Sequence, residues 1–276
     1  MIALIDGDIV AHRTGWTTND LPLAIAQYRL DITMELILQS VGATDFKVYL
    51  TDSLGNFRNS ISSFYKSNRS KESPVWLEDL KEHLITVWGA KISLGQEADD
   101  ALGIEQTKMA EGTVICSIDK DLLQIPGYHY NFVRFEHVFV TPEEGMYNFY
   151  KQLIVGDSTD NVNGCPKKGE VKAASILLPF KGSTNELEIF EAVREAYRDY
   201  YTKKGLTDEA IDDIILMNGQ LLYIRKKEEE MWNFPTKNTN TSPQLQSQEE
   251  KLSSTISTEE ALSLCTELTT LEMMTA

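Results

Sequence analysis

Gly95-Gln96-Glu97-Ala98-Asp99-Asp100-Ala101 sets three carboxylates in four positions at the head of an apolar, helix-forming segment. Acids in a first helical turn complement the positive end of the macrodipole, worth roughly 0.3–1 kcal/mol each. That is reason enough for one of them. Three together also fit a cation site, and the choice turns on where the chain sends its other acids.

Working outward, three apolar runs end in acids. Ile2–Ile5 runs into Asp6-Gly7-Asp8, Phe46–Leu50 into Thr51-Asp52, and Thr113–Ser117 into Ile118-Asp119-Lys120-Asp121. Each reads as a buried strand delivering carboxylates to its C-terminal end. Leu21 to Val41 carries a helical period closing at Gly42, and Pro74 opens a helix towards Trp88. Ala90–Leu94 reads as a short strand, and the helix opened by the acidic stretch reaches about Ala110. Tyr128–Val140 alternates as one or two strands near a sheet edge. Glu143–Val155 is helical and ends in Gly156-Asp157-Ser158-Thr159-Asp160-Asn161. Val171–Ile224 is mostly helix, broken at Pro179–Gly182 and Gly205. Strands alternating with helices predict an α/β fold: a mainly parallel central sheet flanked by helices, with a C-terminal helical extension. Ligands of such sheets bind beyond the carboxyl ends of the strands, where these acids fall.

The composition is that of a globular protein: 42% hydrophobic and 25% charged over 276 residues. No uncharged apolar run has membrane-spanning length, and the N-terminus lacks the basic region of a signal peptide. Three widely spaced cysteines (Cys116, Cys165, Cys265) form no disulfide framework or zinc site and fit a reducing cytoplasm. The net charge of −16 argues against nucleic acid as a partner if taken as a sum. Its distribution matters more, because Arg58, Lys66, Arg69 and Lys71 form a local basic run. Residues 236–276 hold two lysines, six glutamates and many Ser and Thr, and read as a flexible tail. Ser257-x-x-Glu260 before Ala261, Leu262, Leu264 and Leu268 allows one short capped helix there, a docking segment for a protein partner.

Asp6, Asp8, Asp52, Glu97, Asp99, Asp100, Asp119, Asp121, Asp157 and Asp160 crowd one predicted edge. So many carboxylates repel unless cations neutralise them or some take up protons. Oxygen ligands without His or Cys suit magnesium. Two such ions roughly 4 Å apart clamp the attacking and leaving oxygens of a phosphoryl centre.

Two enzyme families resemble this arrangement. Asp6-Gly7-Asp8, Thr51 and Gly156-Asp157-x-x-Asp160 resemble the nucleophile and acid pair, the phosphate-binding Thr and the metal motif of haloacid-dehalogenase-like phosphatases. That reading implies a phosphomonoesterase using Asp6 and Asp8, and leaves Glu97, Asp99, Asp100, Asp119 and Asp121 without a role. Over about residues 1–235 the chain resembles the flap endonuclease/5′→3′ exonuclease family, most closely its phage branch. Five segments match in order. They are Ile5-Asp6-Gly7; Leu50-Thr51-Asp52 with Phe57-Arg58 and Tyr65-Lys66-x-Asn68-Arg69; Glu97-Ala98-Asp99-Asp100; Ser117-Ile118-Asp119-Lys120-Asp121 with Ile125-Pro126; and Gly156-Asp157-x-x-Asp160-Asn161. Asn161-Val162-x-Gly164-Cys165-Pro166-x-x-Gly169-x-x-x-Ala173-Ala174 then resembles that family's helix–hairpin–helix, in which glycines admit a DNA phosphate and a helix N-terminus faces it. Lys167-Lys168 replaces a third Gly and an apolar residue, and Val171 stands where Lys is common, which shifts the binding face towards side-chain charge. Gly164-x-x-x-x-Gly169 is no P-loop, since Glu170 occupies the lysine position.

The resemblance implies a PIN-like 5′-nuclease domain over 1–155, with an arch at about 53–88, a helix–hairpin–helix region over 156–235, and the tail beyond. It implies hydrolysis of DNA from a 5′ end (duplex, nick or flap) to 5′-phosphorylated products, in a cytoplasm that is the host's if the gene is a phage's. Asp6, Asp52, Glu97, Asp99 and Asp100 are expected around a first Mg2+, and Asp119, Asp121, Asp157 and Asp160 around a second, with Mn2+ as a substitute. Lys66 and Arg69 are the expected catalytic cations. Arg58, Tyr65, Gly164, Lys167, Lys168, Gly169 and Lys172 are the expected DNA contacts: Arg58 on a phosphate, Tyr65 or Phe64 under a terminal base. A catalytically silent DNA-binding scaffold is the third reading, disfavoured by the full set of acids.

Overall fold

The computed structural model describes residues 1–69, 72–109 and 111–236. Lys71 of the basic run, Cys265 and the tail beyond residue 236, with its Ser257–Glu260 cap, lie outside the described residues. The apolar runs form a six-stranded sheet ordered β3-β2-β1-β4-β5-β6. The strands are β1 (Ile2–Asp6), β2 (Asp45–Thr51), β3 (Lys91–Ser93), β4 (Thr113–Cys116), β5 (Gly127–Asn131) and β6 (Glu136–Val140). Every neighbouring pair is parallel except β5–β6, the antiparallel edge.

Because β1 lies mid-sheet, its residues are buried on both faces, which is why it reads as a continuous apolar run. Successive side chains alternate between faces. Ala3 and Ile5 join Val10, Leu30, Met34, Leu80 and Leu84 of α1 (Gly7–Thr17), α2 (Leu23–Val41) and α4 (Leu77–Thr86). Leu4 joins Leu102 of α5 (Ala98–Met109), with Tyr49, Ile115 and Ile125, on the other face. The chain leaves β1 for α1 on one face and reaches β4 from α5 on the other. The seam between β1 and β4 is therefore the switch point where such sheets bind ligands.

A further apolar cluster lies beyond the sheet. It gathers Phe149, Tyr150, Leu153 and Ile154 of α6 (Pro142–Val155), Ala173 of α7 (Glu170–Leu177), Val193 and Tyr197 of α8 (Glu186–Tyr201), Ile214 and Ile215 of α9 (Asp208–Leu222), and Trp232. Helical packing thus begins with α6, ahead of the boundary expected at residue 155. Tyr65, from the segment after α3 (Phe57–Ile61), is buried in the same cluster, which ties the basic stretch to the helical region. The helix ends are capped. Gly42 ends α2 at φ +58°, and Thr141 and Glu144 form a capping box on α6. No described helix is long and apolar enough to cross a membrane.

Candidate active site

The first turn of α5 sits against the ends of the parallel strands: Ala98 N–H donates to Thr51 Oγ1 at 3.0 Å. Here a cavity of about 390 Å³ opens, lined by Asp6, Asp8, Asp52, Glu97, Asp99 and Asp119, and by Lys66, Arg69 and Lys81. Asp6 is 2% exposed at the end of β1. It accepts from Ile9 N–H at 3.1 Å, capping α1, and from the Ser117 hydroxyl after β4 at 2.8 Å. Burial, with Asp8 and Asp119 nearby, pushes its pKa up to about 7 despite those hydrogen bonds. Burial and the charges of Asp6, Asp119 and Glu97 raise Asp99 well above the carboxylate range. Burial, then Asp160 and Asp157, raises Asp119, whose Oδ1 accepts Asp121 N–H at 2.8 Å. Asp121 is pushed up to about 7 by burial, Asp119 and a carboxyl–carboxyl contact with Asp157. The acids thus form a linked series from Asp6 through Asp99 and Asp119 to Asp121 and Asp157.

Cations border that series. Lys66 Nζ lies 2.5 Å from Glu97 Oε1 and 3.6 Å from Asp160 Oδ2, and Arg69 pairs with Asp160 Oδ1. The base of the basic stretch is fastened to the loop between β7 (Gly156–Asp157) and β8 (Val162–Asn163). Lys66 N–H donates to Asp160 O at 2.9 Å, and Asn161 Nδ2 donates to Phe64 O at 3.0 Å and to Ser67 Oγ at 3.1 Å. The structure therefore sets Lys66 and Arg69 beside the acids.

It gives four predicted site residues tasks other than those expected. Asp100 is fully buried and faces away from the cavity. Its oxygens take Arg58 Nη1 at 2.6 Å and Nη2 at 2.9 Å, and the N–H groups of Glu97 and Arg225 at 3.1 Å each. Burial works to raise its pKa, but Arg58 and these amides hold it below the usual range. Asp100 has no oxygen to spare for a metal. Arg58, 2% exposed, also donates to Leu221 O and Tyr223 O, so it clamps α3 and α5 to the end of α9 instead of meeting a phosphate. Tyr65 is 5% exposed and gives its hydroxyl to Glu97 and Asp160, so the ring open for stacking is Phe64, 49% exposed. Gly164 is buried against Gly156, where a Cβ would meet backbone atoms at 2.3–2.4 Å. Its smallness lets two strands of the chain approach, not a phosphate.

Asp52 lines the cavity, but its oxygens accept Leu54 N–H at 2.9 Å and Gly95 N–H at 3.1 Å, which lower its pKa and join two loops. Asp8 accepts Thr51 N–H at 2.7 Å and pairs with Lys81 at 2.9 Å. Engaged at both oxygens, it is poorly placed as the general acid of a phosphatase, and Thr51 is occupied by α5. The hairpin before α7 leaves Gly169 in open space as the helix cap, with Lys167 and Lys172 exposed. Lys168 pairs with Asp199 at 3.0 Å. Lys81 and Asn56, which donates to Glu97 at 3.0 Å, escape sequence reading because their partners are distant in sequence.

A hard cation suits the donor set, which is oxygen throughout and whose crowded acids resist ionising on their own. As the side chains stand, no three His, Cys, Asp or Glu among the described residues converge on one ion position. Lys66 and Arg69 hold Glu97 and Asp160 instead.

No family model matches the chain. A 5′-3′ exonuclease of Buchnera aphidicola (subspecies Schizaphis graminum) is 29% identical over 215 residues, covering 70% of this chain and 75% of its own. The 5′-exonuclease of bacteriophage T5 with zinc bound superposes with a TM-score of 0.54 at 16% identity, over 81% of this chain and 98% of that one. The T5 flap endonuclease in a complex with DNA and metal ions gives a TM-score of 0.52 at 15% identity, over 80% and 98%. Similarity along most of the chain and a shared fold lead the same way: the chain is similar to 5′-3′ exonucleases over most of its length and has the fold of the T5 5′-exonuclease.

Proposed function

We propose that the chain is a metal-dependent 5′→3′ deoxyribonuclease that hydrolyses DNA phosphodiesters from 5′ ends and leaves 5′-phosphorylated products. The observation that carries this is the cavity at the β1–β4 seam, lined both by acids and by Lys66, Arg69 and Lys81. Asp6, Glu97, Asp99 and Asp119 would hold one divalent ion and Asp119, Asp121, Asp157 and Asp160 a second, with Mg2+ expected and Mn2+ able to replace it. Such ions supply charge that stabilises a phosphoryl centre and lowers the pKa of an attacking water.

Within the chain, Ser117 and Ile9 N–H orient the Asp6 carboxylate. Lys66 and Arg69 stand where negative charge builds on the scissile phosphate. With Glu97 and Asp160 holding an ion, both cations would be free to face that phosphate. Phe64 offers a face to a terminal base, typically ~1–3 kcal/mol. Residues 1–155, with Asp157 and Asp160 of the loop that follows, supply this chemistry. The α6–α7 hairpin, with Lys167, Lys168, Gly169 and Lys172, takes the duplex in helix–hairpin–helix fashion. A cytoplasmic setting fits a DNA substrate, and the tail remains the candidate segment for a protein partner.

The test supplies 5′-labelled duplex DNA with MgCl2, with and without chelator, beside a small phosphomonoester. Labelled 5′ nucleotides are expected, and chelator abolishes their release. Turnover of the small ester alone, or DNA binding without turnover, would overturn the assignment.

A further inference from the structure

We infer that Lys81, fixed by Asp8 and flanked by His12, forms a second phosphate-binding subsite in the cavity, apart from Lys66 and Arg69. The inference rests on the nuclease reading only in taking DNA as the source of the phosphate.

The cations of the cavity are not equivalent. Lys66 and Arg69 are held by Glu97 and Asp160, on the side of the acidic series. Lys81 reaches the cavity from α4, and its Nζ is 2.9 Å from Asp8 Oδ1. Asp8 Oδ2 is in turn fixed by Thr51 N–H at 2.7 Å. A carboxylate fixed at one oxygen by a backbone amide and ion-paired to Lys81 through the other serves as a bracket, so the position of Lys81 does not depend on whether ions occupy the acids beside it. An ammonium has three N–H donors, and its contact with Asp8 Oδ1 is an ion pair that lacks hydrogen-bond geometry. The side chain keeps 22% exposure, leaving donors for a ligand.

His12 lies one helical turn after Asp8 on α1, on the same face, and lines the same cavity. Burial, then Lys81, lowers its pKa, so at neutral pH it is an uncharged donor or acceptor beside a fixed cation. A charge-assisted donor with a neutral one beside it suits an oxyanion. These groups come from α1 and α4, whereas the acids come from strand ends, α5 and the loop after α6. A DNA strand with one phosphate at the acids would therefore present a neighbouring phosphate to Lys81. A 5′-terminal phosphate monoester and an internal phosphodiester share this chemistry.

The experiment measures anisotropy of a fluorescent duplex with a recessed 5′ end, carrying either a 5′-phosphate or a 5′-hydroxyl. Binding is titrated in EDTA over a NaCl series, for wild type, Lys81→Gln and Lys81→Arg. Lys81→Met, which keeps the aliphatic stem, is the second neutral variant should Lys81→Gln not fold. Loss of one phosphate contact weakens binding about ten- to a hundredfold. It also flattens the slope of log affinity against log salt by roughly 0.7–0.9, whereas Lys81→Arg keeps the slope. A loss confined to 5′-phosphorylated DNA assigns the monoester, and an equal loss on both assigns the phosphodiester. An unchanged slope in the neutral variants, or the same fall in Lys81→Arg, overturns the subsite and leaves Lys81 a tether between α1 and α4. The nuclease reading fails separately, if wild type releases no nucleotide with MgCl2. Failure of wild type to bind DNA overturns both.

Discussion

Asp100 and Arg58 show how two residues of apparently catalytic motifs come to serve stability. The Asp100 carboxylate is fully buried and receives four hydrogen bonds, two of them from one guanidinium. Removing one partner of a buried pair strands the other charge in a poorly solvated interior, typically at about 3–5 kcal/mol. Arg58→Ala should therefore cost about that much in urea unfolding and loosen α9, since Leu221 O and Tyr223 O lose their donor as well. Asp100→Asn keeps the shape but loses the charge and gives Arg58 a weaker acceptor, and should fall between wild type and Arg58→Ala. If instead Asp100→Asn unfolds like wild type while cleavage drops by orders of magnitude, Asp100 serves the metal and not the fold. Asp99, its neighbour in sequence, sits among Asp6, Asp119 and Glu97 and contrasts with it directly. One helical step of about 100° separates a cavity acid from a core acid.

At the scale of elements, the hairpin between α6 and α7 makes two glycines of one motif diverge. Gly164 lies against Gly156, and any Cβ there would meet Gly156 N, Ile154 O and Val155 C, all backbone atoms that cannot step aside. Gly164→Ala should destabilise by about 1–3 kcal/mol or more and displace Asp157 and Asp160 with the hairpin. Gly169→Ala meets nothing within 4 Å and has an ordinary φ of −69°, so its melting temperature should hold. DNA affinity should fall there if the α7 N-terminus approaches a phosphate, and equal affinity would remove this helix from the binding face.

The same hairpin marks what the sequence makes legible. Strands β1, β2 and β4 stand out because central parallel strands are apolar on both faces, and their terminal acids locate the site. The helix α1 is harder to see: Ile9, Val10 and Ala11 are consecutive, not helically spaced, and polar residues follow. Asp100–Arg58 and Asp8–Lys81 pair across 42 and 73 positions, as 100 − 58 and 81 − 8 give, so only the folded chain reveals them. The roles of Gly164 and Gly169 look alike in sequence because a close approach by the chain and one by a ligand both require a missing side chain.

For the whole molecule, the acidic series should make stability depend jointly on pH and divalent cations. Unfolded carboxyls ionise near pH 4, whereas burial and neighbouring acids push Asp6 and Asp121 up to about 7. Between those values the folded chain binds more protons than the unfolded one, so these groups make stability fall as pH rises from about 4 to about 7. Asp100 has the opposite sign, but its pKa is lowered, so its contribution is lost only below about pH 4. His129, buried and hydrogen-bonded to Ile125 O at 2.7 Å, is also lowered, by burial, and favours the folded state as pH rises through about 6.5. A single melting curve mixes these trends, but the difference made by MgCl2 at each pH isolates the acids. Ions held by the ionised carboxylates of the folded state would stabilise it in proportion to occupancy. Melting temperatures with MgCl2 minus those with EDTA should be near zero at pH 5 and clearly positive at pH 8, and Asp6→Asn should shrink the gain at pH 8. An equal gain at both pH values, or none at pH 8, would mean that the crowded acids are not where the ions bind.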